Sequence, residues 1–213
     1  MSEQTSFPEP LRRLPQQARS RQRLNQILDA AAQAFEEFGY EATTTEVIAM
    51  RANTSIGSLY RFFPDKPAIL YALAQRYSKE MRELTAELFS SSTVGRSLAS
   101  VLSDAVDAYD NFYRTQPAAR IIFLQRQAAP ELYDLNKRLD HEIALHLDAF
   151  FALKQPNMEP EKRRVVALVA VEVASALQLF YWKQEDNLQQ KIVAETKQLL
   201  TRYLQPLLES TAL

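Results

Sequence analysis

Apolar residues recur at steps of three and four along most of this chain. Leu24, Ile27, Leu28, Ala31, Phe35 and Phe38 set the pattern. They mark one face of an amphipathic helix over residues 20–38, stopped by Gly39, a residue free to take the left-handed backbone that ends helices. Phe35 and Phe38 are expected in the core. Two much shorter apolar groups follow. Thr43 with Glu46 has capping-box spacing, and Val47, Ile48 and Ala52 supply the inward stripe of a short helix. Asn53 can then reverse the chain, because Asn tolerates positive φ better than other non-Gly residues. Thr54-Ser55 offers a second N-cap, and Ile56–Phe63 reads as another short helix closed by Pro64. Leu59 and Phe63, four apart, belong to one buried face.

Longer helices come next. Ile69, Leu70, Leu73, Tyr77, Met81, Leu84 and Leu88 predict one over 67–89, with Pro67 near its start, where a missing N–H costs little. The run from Ser90 to Gly95 is the clearest internal loop. Helices are expected over 96–115, 117–128, 130–154, 159–183 and 187–205, with Pro117, Pro130, Pro156 and Pro160 at the joints. The stretch from Val165 to Trp182 is almost wholly apolar, broken by Glu172, Ser175 and Gln178. It is short for a membrane span and carries a carboxylate in its middle, so it is expected as a helix buried on most sides. Residues 1–19 contain Pro8, Pro10 and Pro15 without helical periodicity and read as a flexible basic arm. Arg12, Arg13, Arg19, Arg21 and Arg23 could approach phosphates there, and no apolar stretch follows them as a signal peptide would require.

Composition narrows the picture. Across 213 residues, 46% are hydrophobic and 24% charged, as in a soluble globular protein. Only three Gly occur, which favours an all-α fold of about nine helices with short joints. There is no Cys, so disulfides and thiolate chemistry are excluded. A net charge of −1 means that any surface for nucleic acid must be a local patch.

Two short helices joined by a tight turn form a helix-turn-helix, whose second helix fits a DNA major groove. Ile48-Ala49, Arg51-Ala52-Asn53-Thr54-Ser55 and the run from Gly57 through Leu59, Tyr60, Phe62, Phe63 and Pro64 to Lys66 resemble the DNA-binding signature of TetR-type transcriptional regulators. Ala31, Phe35, Gly39 and Tyr40 extend the match upstream. Asn53 stands where the family usually has Gly, and Thr54 where it usually has Val. The resemblance implies a three-helix DNA-binding head over 20–66, a connecting helix over 67–89, and an effector-binding and dimerisation domain over 90–213. It also implies a homodimer through the last two helices, a cytoplasmic location and no membrane partner. Double-stranded DNA would be the macromolecular partner.

The candidate DNA contacts divide by chemistry. Thr44 and Thr45 lie at a helix start, where hydroxyls and backbone N–H groups can meet phosphate. Ser55, Ile56 and Ser58 open the reading helix, and Ile56 can touch a thymine methyl. Gly57 allows close approach. Tyr60 offers a hydroxyl and a ring, and Arg61 offers charge. Lys66 resembles the family's phosphate-contacting lysine. For a small-molecule effector, Tyr109, Phe112, Tyr113, Phe123, Phe150 and Phe180 supply aromatic surface, and His146, Glu172 and Gln178 supply polar anchors. Glu172 must find a partner or lose its charge if buried. Each aromatic has an alternative role as plain core.

Catalysis and metal binding have no support. His141 and His146 are five apart, about 140° around a helix, where a zinc pair needs four. Asp104, Asp107 and Asp110 form an acidic stripe that reads as a solvated face. No phosphate loop or nucleophile elbow occurs, so no cofactor is expected. The leading expectation is therefore a repressor released from a palindromic operator by a small apolar or aromatic effector. A ligand-free DNA-binding dimer, an activator, and a helical binding protein that is not a regulator remain open alternatives.

Overall fold

The computed structural model describes residues 18–126 and 130–209. Among these the chain is helical and contains no strand. The helices are α1 (Ala18–Ala42), α2 (Thr45–Arg51), α3 (Ile56–Phe62), α4 (Lys66–Leu88), α5 (Leu98–Thr115), α6 (Pro117–Gln125), α7 (Pro130–Lys154), α8 (Pro160–Tyr181) and α9 (Asp186–Leu208), with a 3-10 turn at Ser91–Thr93. The expected all-α class holds. The residues form two compact units, one ending at Tyr77 but completed by Gln116–Leu135, the other comprising Ser78–Thr115 and the chain from Asn136 onward. These units cut α4 and α7 internally, whereas the sequence suggested divisions at 66 and 89.

The first unit is built on α1. Ile27, Ala31 and Phe35 are fully buried along one flank, and α2 and α6 both pack against this helix. Ile48, Leu59, Phe63, Ile69 and Leu73 close the same core. Gly39 takes φ 78°, so α1 kinks there and runs one further turn to Ala42. The buried Thr43 hydroxyl donates to the Gly39 carbonyl at 2.7 Å and reaches the Ala34 carbonyl at 3.1 Å. That reverses the expected capping. Thr44, not Thr43, caps α2, accepting from Val47 N at 3.3 Å, because its neighbour faces back into α1.

Phe38 is a second correction. It is 46% exposed, with the Arg51 guanidinium 5.2 Å from its ring centroid and Arg51 paired to Glu37. Cation–π contact on an exposed ring replaces core packing. Asn53 has φ 47°, as the turn requires. Arg19 lies on α1, since the helix begins at Ala18; the arm proper falls in 1–17, outside the described residues.

In the second unit, α9 packs against both α5 and α8. Phe89, Leu98, Val101, Phe150, Phe151, Ala167 and Leu204 form its apolar centre. A partly buried polar set joins three helices. Tyr181 Oη donates to Asp110 Oδ1 at 2.7 Å, Arg114 Nε donates to Asp110 Oδ2 at 2.7 Å, and Arg114 Nη2 reaches Gln189 Oε1 at 3.3 Å. Burial, then the Asp110 bond, pushes the Tyr181 hydroxyl pKa far up. The acidic stripe on α5 is paired rather than merely solvated: Asp104 with Arg96, Asp107 with Lys197 and Asp110 with Arg114.

Helix ends differ from expectation for local reasons. Helix α5 starts at Leu98 because the Ser97 hydroxyl accepts from Ser100 N. Helix α6 reaches Gln125, and residues 127–129 lie outside those described. Helix α9 continues through Pro206 to Leu208, with buried Leu204 and Leu208 on either side holding the last turn.

Helix α8 is long and apolar enough by length and composition to cross a membrane. One flank is buried at Val166, Ala167, Ala170 and Val171. The other leaves Val165, Leu168, Val169 and Phe180 exposed, with Glu172 among them. Glu172 is exposed rather than buried, so it keeps its charge in water, and its carboxylate is met by Lys137 Nζ at 2.7 Å. Leu188, Leu199 and Tyr203 make a matching exposed stripe on α9.

Candidate nucleic-acid interface

Helix α3 is seated by its apolar side and presents the other. Leu59 and Phe63 are fully buried and Phe62 is nearly so, while Ser55, Gly57 and Arg61 are exposed. Ile56 and Tyr60 are each 37% exposed. Ser55 Oγ accepts from Ser58 N at 3.2 Å, which caps the helix and fixes its start. The turn before it is closed by Thr54 N donating to Ala49 O at 3.0 Å.

The predicted contact residues of α2 and α3 do come together. Thr45 Oγ1 and Tyr60 Oη lie 3.1 Å apart and share a hydrogen bond, joining the two helices at the surface. Thr44 is exposed beside them. Arg61 Nη2 donates to Ser58 Oγ at 3.4 Å. The carboxyl of Glu46 is held below the usual range by its own backbone N–H and then by the Thr44 hydroxyl, so the α2 start keeps an anion in its first turn.

Lys66 is placed differently. Its ammonium donates to the carbonyls of Tyr40 at 2.8 Å and Glu41 at 3.1 Å, and lies 4.4 Å from the Tyr40 ring centroid. It therefore joins the start of α4 to the end of α1. Asp65 caps α4, accepting from Ala68 N at 2.8 Å. Burial, reinforced by Glu41 and Asp65, raises the Tyr40 hydroxyl pKa.

An open hollow of about 510 Å³ flanks α3, lined by Arg19, Arg23, Thr54, Ser55, Ser58 and Arg61, among others. The sequence places Arg19 and Arg23 near phosphates, with Arg19 in the arm and Arg23 on the first helix. Their four-residue spacing, in step with Ile27 and Ala31, is the signal that carries α1 back to include Arg19.

The effector candidates divide between the two units. Phe123 belongs to the first unit, with the Arg126 guanidinium 4.3 Å from its ring centroid. The others belong to the second. Tyr109 is partly buried against Thr85, their hydroxyls 2.9 Å apart, and the desolvation of its hydroxyl pushes its pKa up to about 12. Phe112 and Tyr113 stack edge to face, and Phe150 sits in the core beside Phe89 and Phe151. His146 Nδ1 contacts the Glu142 carbonyl at 2.9 Å, and Gln178 is half-buried. Phe180 is 52% exposed, and Glu172 is paired with Lys137. Among the described residues no cluster of three or more His, Asp or Glu side chains could hold a metal.

Residues 27–73 match the family described as "Bacterial regulatory proteins, tetR family". Residues 97–204, just over half of the chain, match "Tetracyclin repressor-like, C-terminal domain". The HTH-type transcriptional regulator YhgD of Bacillus subtilis (strain 168) is 25% identical over 178 residues, covering 79% of this chain and 88% of its own. The HTH-type transcriptional repressor KstR of Mycobacterium tuberculosis is 27% identical over 146 residues, 66% of this chain and 61% of KstR. A crystal structure of a TetR-family transcriptional regulator from Streptomyces coelicolor shares 29% identity with a TM-score of 0.61, covering 89% of this chain and 99% of that one.

Proposed function

The chain belongs to the TetR family of bacterial regulatory proteins, as a DNA-binding transcriptional regulator and not an enzyme, and on that premise we propose that it is a homodimeric repressor of a palindromic operator, released by a small apolar or aromatic effector. The observation that carries this reading is α3 itself: a capped helix anchored by Leu59 and Phe63, with Ser55, Ile56, Gly57, Tyr60 and Arg61 facing out. Ser55, Ile56, Gly57 and Ser58 would meet base edges, while Thr44, Thr45, Tyr60 and Arg61 would hold the backbone. DNA contact then falls to residues 20–66 and the other functions to the chain beyond, with 67–89 between. DNA as partner implies the cytoplasm.

Repression is favoured by the similarity to KstR, which is named a repressor. The exposed stripes of α8 and α9 support pairing through these helices, since apolar side chains left on two adjacent helices suit a symmetric four-helix contact. An effector would draw on Tyr109, Phe112, Tyr113, Phe123, His146, Phe150, Glu172, Gln178 and Phe180, and would favour a state whose heads miss the half-site spacing.

Selection of bound fragments from random duplex DNA tests the reading. The expected product is a palindrome whose half-site centres lie about 34–36 Å apart. Absence of any enriched sequence would overturn it. Candidate effectors should raise the melting temperature and release the selected duplex together; compounds that do only one are not effectors.

A further inference from the structure

Two ion pairs tie α7 to α8, and they lie in different surroundings. Arg163 Nε meets Asp148 Oδ1 at 2.7 Å, and both side chains are mostly covered. Lys137 Nζ donates to both oxygens of Glu172, at 2.7 and 2.8 Å, and both side chains remain exposed. The first pair is a fastener within the unit. The second opens on the apolar stripe of α8, where Val165, Leu168, Val169 and Phe180 are exposed. Glu172 is the one charged residue between Val165 and Phe180. It stands near the middle of α8, in helical step with Val165 and Leu168 before it and Ala176 and Phe180 after it.

In an isolated chain such a pair is a surface contact that water weakens. A two-fold contact through the stripe changes its setting. That contact applies one patch to itself, so residues near the middle of the patch lie near the axis and meet their own copies. Two Glu172 carboxylates are then brought together while apolar neighbours exclude water, and like charges repel more strongly as their surroundings dry. Lys137 gives each carboxylate a cation. A carboxylate has about four acceptor sites on its two oxygens, so it can hold its own ammonium and also accept from the second copy's. The four charges are complete only when both chains carry the pair.

We infer that Lys137 and Glu172 set which chains this protein pairs with, by making the stripe match its own copy and reject a stripe that is apolar at these positions. This rests on the homodimer reading above and names what selects the partner. The apolar side chains supply the attraction and would fit any similar stripe. The pair supplies the discrimination, because against an apolar partner its charges are desolvated without the second pair to answer them. A polar residue in a coiled-coil core specifies register and oligomer state in the same way, at a cost in stability.

Pairing is measured on the full-length protein without DNA. The charge-free variant K137M/E172L is expected to form a homodimer at least as tight as wild type, since apolar contact replaces two desolvated ion pairs. The two chains are then co-expressed in equal amounts with different tags, and the dimers are weighed by native mass spectrometry. Random pairing would make half of them mixed; the expected mixed fraction is below about one fifth. K137M alone leaves two carboxylates facing each other, and should raise the dimer dissociation constant at least about tenfold with helix content unchanged. A mixed fraction near half, a K137M dimer as tight as wild type, or a charge-free variant that stays monomeric would overturn the inference while leaving the homodimer intact. A wild-type chain that is monomeric at every concentration would overturn both.

Discussion

Polar side chains do different work in the two compact units. In the first many serve the backbone: Thr43 on Ala34 and Gly39, Lys66 on Tyr40 and Glu41, Arg23 on Asn53, and Thr44, Ser55 and Asp65 at helix starts. In the second many serve one another across helices: Tyr181 on Asp110, Arg114 on Gln189, Lys137 on Glu172, Arg163 on Asp148, Arg82 on Glu142. The difference follows from element length. Short helices have a large share of unsatisfied end groups, so the first unit is held by caps and turns. Long helices satisfy their own backbones and need lateral fasteners.

Alkali should distinguish the units most strongly. The Tyr109 pKa is raised to about 12 by burial, and that of Tyr181 is raised further. In the unfolded chain a tyrosine ionises near pH 10. The native state therefore retains protons that the unfolded state gives up. Stability is undiminished below about pH 10 and then falls by about 1.4 kcal/mol per pH unit for each such tyrosine, for Tyr109 until about pH 12. Tyr109→Phe should start less stable but lose less across that window, by urea denaturation at each pH.

Thr43→Val comes next. It removes a buried hydroxyl from two carbonyls without changing shape, and should cost about 1–3 kcal/mol. An unchanged denaturation midpoint would mean the reversal after α1 does not depend on that hydroxyl. Coupling sharpens the contrast. Tyr181→Phe and Arg114→Met share Asp110, and their costs should depart from additivity by about 0.5–3 kcal/mol in a double-mutant cycle. Ser55→Ala should cost about 1 kcal/mol, and its combination with Thr43→Val should add to within about 0.5 kcal/mol. The smallest effect is expected at Lys137→Met, whose exposed pair with Glu172 should contribute under about 1 kcal/mol in the isolated chain.

The same contrast explains what could be read from the chain. Caps act over three residues, so Ser55, Asn53 and the helix-turn-helix were legible, and most helix limits followed from prolines and polar caps. Adjacent threonines blurred only which one caps α2. Phe38 kept the helical spacing of a core residue, yet it is covered by Arg51, thirteen positions on, a contact no periodicity announces. Fasteners of the second unit join residues as distant as Asp110 and Tyr181, 71 apart in sequence. One sequence contains no signal for such pairs. The aromatic residues proposed for an effector suffer the same ambiguity, because helical spacing serves core and lining alike, and Phe150 and Phe180 with identical chemistry ended at opposite extremes of exposure.

The first unit borrows Gln116–Leu135 from far along the chain, and α6 covers α1 with Ala118, Ala119, Ile122 and Phe123. A reading head transplanted onto another regulator by cutting after α4 would leave that side of α1 bare. Exchange of operator specificity between relatives must therefore either move both segments together or confine itself to the outward residues of α3. Recombination at a single crossover is a poor route to new specificities in this fold, and point substitution is the open one.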